Sequence, residues 1–69
     1  MLWLVIKGAS YQIVSCNLHQ ENGKHQLWIE RARGKSIKVK ESEKYEDVKE
    51  LKDAIDFAIK QGYPSFEVE

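Results

Sequence analysis

The apolar residues of this chain change their spacing near residue 42, and that change limits what the chain can fold into. Between Leu2 and Lys40, apolar and polar residues alternate in short runs rich in Val, Ile, Trp and Tyr, the period of half-buried strands. From about Glu46 to Gln61, Val48, Leu51, Ile55, Ala58 and Ile59 recur three and four positions apart, which puts them on one face of a helix. One helix with one apolar stripe can cover one face of one sheet. The pattern predicts an α+β domain: an antiparallel four-stranded meander with strands at 2–7, 11–18, 26–32 and 35–40, then a helix at about 46–61. Phe66 and Val68 alternate in a short last strand at 65–69, placed antiparallel to the first strand in the order 5-1-2-3-4. A chain of 69 residues makes one domain, 1–69, and not two.

Turn chemistry sets the register. Asn22-Gly23 is a two-residue hairpin signal, because both central residues of that turn take positive φ. It places Leu18 opposite Leu27, Asn17 opposite Trp28 and Cys16 opposite Ile29. A three-residue loop, Ala32-Arg33-Gly34, then pairs Ile29 with Ile37 and Leu27 with Val39. Strict alternation puts Val14, Cys16, Leu18, Leu27, Ile29, Ile37 and Val39 under the helix. The helix should end at Gly62, ahead of Pro64, and Ser42 is a cap for an early start. Asp56 and Lys60 are spaced to pair along its wet side.

The same alternation exposes Tyr11, Ile13, Ser15, Asn17, Trp28, Glu30, Lys38 and Lys40 on the opposite face, joined by two apolar residues from Trp3–Ile6. An apolar, aromatic face with no cover is an interaction surface in waiting. The first expectation is a protein contact, most simply a homodimer packed through Trp28, Tyr11 and Ile13. The alternative is single-stranded nucleic acid, with bases stacked on Trp28 and Tyr11 and phosphates met by Lys38, Lys40, Arg31 and Arg33. Net charge is zero but unevenly spread. Residues 24–40 carry a +5 excess and residues 41–69 a −5 excess, and the acidic helical half disfavours nucleic acid.

Catalytic chemistry finds little support. A domain this small has a thin core and few side chains to spare for a water-excluding cleft. The serines at 10, 15, 36, 42 and 65 have no histidine and carboxylate set beside them, and the helical carboxylates alternate with lysines as a solvated face does. Cys16 and His25 point to one face and His19 to the other, so they do not converge on a metal ion. The expectation is a non-enzymatic module without metal or cofactor. One cysteine allows no intrachain disulfide, which suits a reducing compartment, and the apolar start is too short for a secretion signal or a membrane span. A cytoplasmic location follows as an expectation.

Four strands followed by a helix, over about residues 2–61, resembles the single-stranded-DNA-binding domain of positive-cofactor-type transcriptional coactivators in element order. That resemblance implies nucleic-acid binding on the sheet, and the last strand departs from it. The run Leu27-Trp28-Ile29 through Gly34, then Lys40-Glu41-Ser42-Glu43 and a helix, is similar to small phage-encoded type II-A anti-CRISPR proteins. That likeness implies acidic mimicry of DNA and a phage accessory role, from which the basic hairpin departs. Both are likenesses of architecture.

Overall fold

A computed structural model describes residues 2–68. Five strands, β1 (Leu2–Ile6), β2 (Ala9–Glu21), β3 (Lys24–Arg31), β4 (Ile37–Ser42) and β5 (Ser65–Val68), form one sheet, and α1 (Tyr45–Gln61) packs on one face of it. The strand order β4-β3-β2-β1-β5 is the expected one. Glu69, the expected end of the last strand, lies outside the described residues. Among the described residues no helix is long and apolar enough to cross a membrane.

Asn22 and Gly23 adopt φ of 52° and 75°, so the central hairpin closes as its sequence requires. Leu18↔Leu27, Asn17↔Trp28 and Cys16↔Ile29 pair in the expected register, and Ile29 lies opposite Ile37. Two irregularities then depart from strict alternation. β2 slips one residue between Ile13 and Ser15, and β3–β4 slips between Leu27 and Trp28, so Leu27 faces Lys40 rather than Val39.

The slip in β2 decides the core. Above it, Leu2 and Leu4 pair with Ile13 and Tyr11; below it, Cys16 and Leu18 pair with Ile29 and Leu27. The extra residue, Val14, lets both sets face α1. Ile13 is therefore buried in the core and Val14 is left exposed, the reverse of the simple alternation. Val48, Ile55 and Ala58 are buried against this surface, with Leu51 and Ile59 packed at its margin.

The last strand runs parallel to β1, not antiparallel: Trp3 pairs with Ser65 and Ile6 with Val68. The stagger of the sheet explains this. β1 begins opposite Ile13, whereas β2 continues to Glu21, ~26 Å further at a strand's rise per residue. The 17-residue helix is ~25 Å long and climbs that same distance, so it delivers the chain to the starting end of β1. From there the chain continues alongside β1.

The helix ends fit their capping residues. Gly62 is left-handed (φ 75°), with Gly62 N–H donating to the Ile59 carbonyl and Tyr63 N–H to that of Ala58. Phe57 and Tyr63 meet edge to face, 6.0 Å between centroids, as the apolar clasp of this ending. Lys44, rather than Ser42, occupies the N-cap position. Ser42 acts just outside it, accepting from Lys44 N–H (3.1 Å) and donating to Asp47 (2.7 Å). Asp56 pairs with Lys52, one turn back, instead of Lys60, because Asp56 also receives the Cys16 thiol and is drawn to the flank over β2.

Ile55, fully buried at the centre of the helix–sheet contact, should be the most sensitive position. Ile55→Ala is expected to lose about 2–5 kcal/mol of unfolding free energy, and Ile55→Val about 1 kcal/mol, in urea titrations followed by far-UV circular dichroism.

Candidate binding face

Among the described residues, none covers the sheet face opposite α1. Its centre is Trp28, half-buried between strand neighbours. The indole N–H donates to Gln26 Oε1 at 2.9 Å, Gln26 Nε2 donates to Glu41 Oε2 at 2.7 Å, and Lys38 Nζ reaches the same oxygen at 3.4 Å. This relay spans two strands because the slip at Val39 advances Glu41 to a place opposite Gln26. Gln26 is the buried polar residue of the face, 7% exposed, with its amide satisfied at both ends. A tryptophan tied at its N–H and met edge-on by His19 (6.1 Å) has a fixed orientation. Open hollows flank the ring: one of about 410 Å³ toward Asn22, Lys24, Lys38 and Glu41, and one of about 310 Å³ toward His19 and Gln20.

The residues expected on this face divide. Trp28, Lys38, Ser15, Asn17 and Glu30 are there, with Ser15 donating to Glu30. Tyr11 and Ile13 are not, because the Val14 slip turns them toward α1. Arg31 pairs with Ile13 and lies over the Tyr11 ring, 5.4 Å from its centroid, on the helix side as well. Lys40, opposite Leu27, lines a hollow of about 330 Å³ with Asp47, Glu50 and Leu51. Arg33 is exposed in the loop 32–36 at the end of β3. The apolar contribution of β1 comes from Trp3 and Val5, since Leu2 and Leu4 are fully buried on the other side. Trp3 is 46% exposed. The face is therefore a mixed surface, with two tryptophans among amides, hydroxyls and charges, and not the apolar sheet that simple alternation implies.

The Gln26–Glu41 relay escaped sequence reasoning because it depends on a slip with no Gly or Pro to announce it. The signal that was present is chemical: a glutamine inside a strand two residues before a tryptophan sits on the same face and can reach its N–H.

Charged groups show two distinct environments. The hydrogen bond from Gln26, aided by Lys38, holds the Glu41 carboxyl below its ordinary range. Cys16 lies on the helix side, with Sγ 3.2 Å from Asp56 Oδ1. Burial, then the Asp56 hydrogen bond and charge, push its thiol up to about 12. Such a thiol stays protonated and is a poor nucleophile. His25 meets Tyr45 edge-on at 5.4 Å, while His19 lies against Trp28 on the other face, so Cys16, His19 and His25 belong to separate surroundings. Among the described residues no three metal-binding side chains converge. Comparison with protein-family models, curated proteins and solved structures finds no match to this chain.

Gln26→Met removes the amide while keeping the side chain's length. The Glu41 carboxyl should then titrate closer to the ordinary range, measured by carbon NMR of the side-chain carboxyl. For Cys16, native protein should resist a thiol reagent at mild alkaline pH and react only as it opens. The native thiol holds its proton above the ordinary value of 9.0, so its contribution to stability should fall as pH rises from there to about 12. Cys16→Ala should remove that part of the alkaline slope in denaturant titrations at increasing pH.

Proposed function

We propose that this chain is a non-enzymatic protein-binding module that works through the open face of its sheet. The observation that carries this is the uncovered face itself, with Trp28 held at a set angle by Gln26 and Glu41 and Trp3 exposed beside Val5. Tryptophan anchors surrounded by satisfied polar groups are the composition of a protein interface, whose core is aromatic and whose rim is polar. Fixing the indole in advance reduces the ordering cost of docking.

Single-stranded nucleic acid is less well supported. A stacking site at Trp28 needs cations along the backbone path, and Arg31 and Lys40 lie on the helix side. Lys24 and Lys38 remain near the ring, but Glu21 and Glu41 stand beside them, so the hollow offers phosphate no net attraction.

Two measurements test this reading. Trp28→Ser should abolish association of the protein with its partner, while Phe57→Ser, exposed on the far side of the helix, should leave it intact. Circular dichroism should show both variants folded. Tryptophan fluorescence titrated with a single-stranded oligonucleotide should show no salt-dependent quenching; quenching that weakens steeply with added salt would overturn the protein-binding reading.

A further inference from the structure

We propose that the occupant of the open face is a second copy of this chain, packed sheet to sheet with its strands antiparallel, so that Arg33 of each copy lies over Glu41 of the other. The inference rests on the open-face reading above and adds a partner, an orientation and a pair of contacts.

Charge selects the orientation. β1 and β3 run in one direction and β2 and β4 in the other, so the connections group their charges at opposite ends of the sheet. At one end lie Lys7, in the β1–β2 turn, and Arg33 and Lys35, in the loop after β3, with Glu67 as their nearby opposite on β5. At the other end lie Glu21, Glu41, Glu43, Glu46 and Asp47, with Lys24, Lys38, Lys40 and Lys44 among them, which leaves that end acidic by one charge. Each copy thus has a basic end and an acidic end along its strand axis. Two copies stacked face to face with parallel strands would set like ends together. A two-fold axis across the strands sets each basic end on an acidic one and makes the surface self-complementary, as an isologous dimer requires.

Register agrees with this arrangement. Glu41 is level with Gln26, and Arg33 follows the end of β3 at Arg31. The axis that superposes Arg33 on Glu41 therefore crosses β3 near Ile29 and Glu30. Glu30 of one copy then comes close to the level of Lys38 of the other, and the two Trp28 rings flank the axis. Glu41 is suited to the role because Gln26 and Lys38 engage Oε2, leaving Oε1 to accept a guanidinium.

Size agrees too. The two longer dimensions of the molecule are 33 and 23 Å, so the open face offers an area comparable to the ~800 Å² per partner of a standard interface. Packed sheets stand ~10 Å apart, a gap that an extended arginine and a glutamate close between them.

The experiment is a charge-reversal cycle read by sedimentation equilibrium from low to high micromolar concentration, with amide NMR shifts followed on dilution. Wild type should dimerise, with dilution shifts at Gln26, Trp28 and Glu30 and weaker association at high salt. Arg33→Glu and Glu41→Arg should each weaken the dimer by about tenfold or more, and the double variant should recover most of that loss. Arg33 is exposed in a loop, so Arg33→Glu tests the contact without touching the fold. A strict monomer at every concentration, or a dimer indifferent to both reversals, overturns the second-copy inference and leaves the open-face reading standing. A dimer whose dilution shifts fall on α1 overturns both.

Discussion

One extra residue, Val14, holds the two halves of the sheet in a common core. β2 is the only strand that touches both β1 and β3, so any change of facing within it passes to everything on either side. With unbroken alternation, Ile13 and Cys16 would lie on opposite faces. Leu2 and Leu4 would then be buried on one side while Leu27 and Ile29 were buried on the other. A single helix could cover only one of those sets. The slip at Val14 places all of them under Val48, Ile55 and Ala58 and leaves Val14 itself in solvent. The ladder loses one pair there, and burial of several aliphatic side chains, each contributing about 1.5–3 kcal/mol, outweighs that loss.

From that common core follows the stagger of the sheet. β1 covers only the upper part of β2, and β3 with β4 cover the lower part. The helix lies diagonally across both because its length matches the offset between them. That length also bears on the direction of β5, since a chain that has climbed to the start of β1 continues in parallel with it.

The open face answers to a different constraint. None of the described residues covers it, so its polar groups must be satisfied by one another or by water, and Gln26 is buried only because both ends of its amide are bonded. The relay from Trp28 through Gln26 to Glu41 gives a bare sheet surface a defined shape. It also ties β3 to the outermost strand, whose lysines discourage edge pairing with other chains. The proposed binding by this face would draw on geometry that the isolated domain already holds, and the separation of charge along the strands would supply direction without requiring net charge.

How much of this the sequence disclosed follows the range of the interactions. Asn22-Gly23, the stripe from Val48 to Ile59 and the Gly62–Pro64 ending act within a few residues of themselves. The hairpin register, the helix and its C-cap were therefore legible in order, type and position. Trp28 and Lys38 were legible as open-face residues because no slip separates Trp28 from that hairpin turn or Lys38 from the loop 32–36. Tyr11, Ile13 and Lys40 were not. One slip stands between each of them and the turn from which its register is counted, and each slip inverts every side chain beyond it, whereas Arg31 keeps the alternation of β3 and shares the helix-facing side of Ile29. Neither Val14 nor Val39 differs in kind from an ordinary strand residue, so no local preference marks the position. By itself, the sequence determined which segments are strands and helix, and where they turn. Tertiary structure alone decided which way β2 faces at each end, because only contact with a helix that has one apolar side distinguishes burying Ile13 from burying Val14.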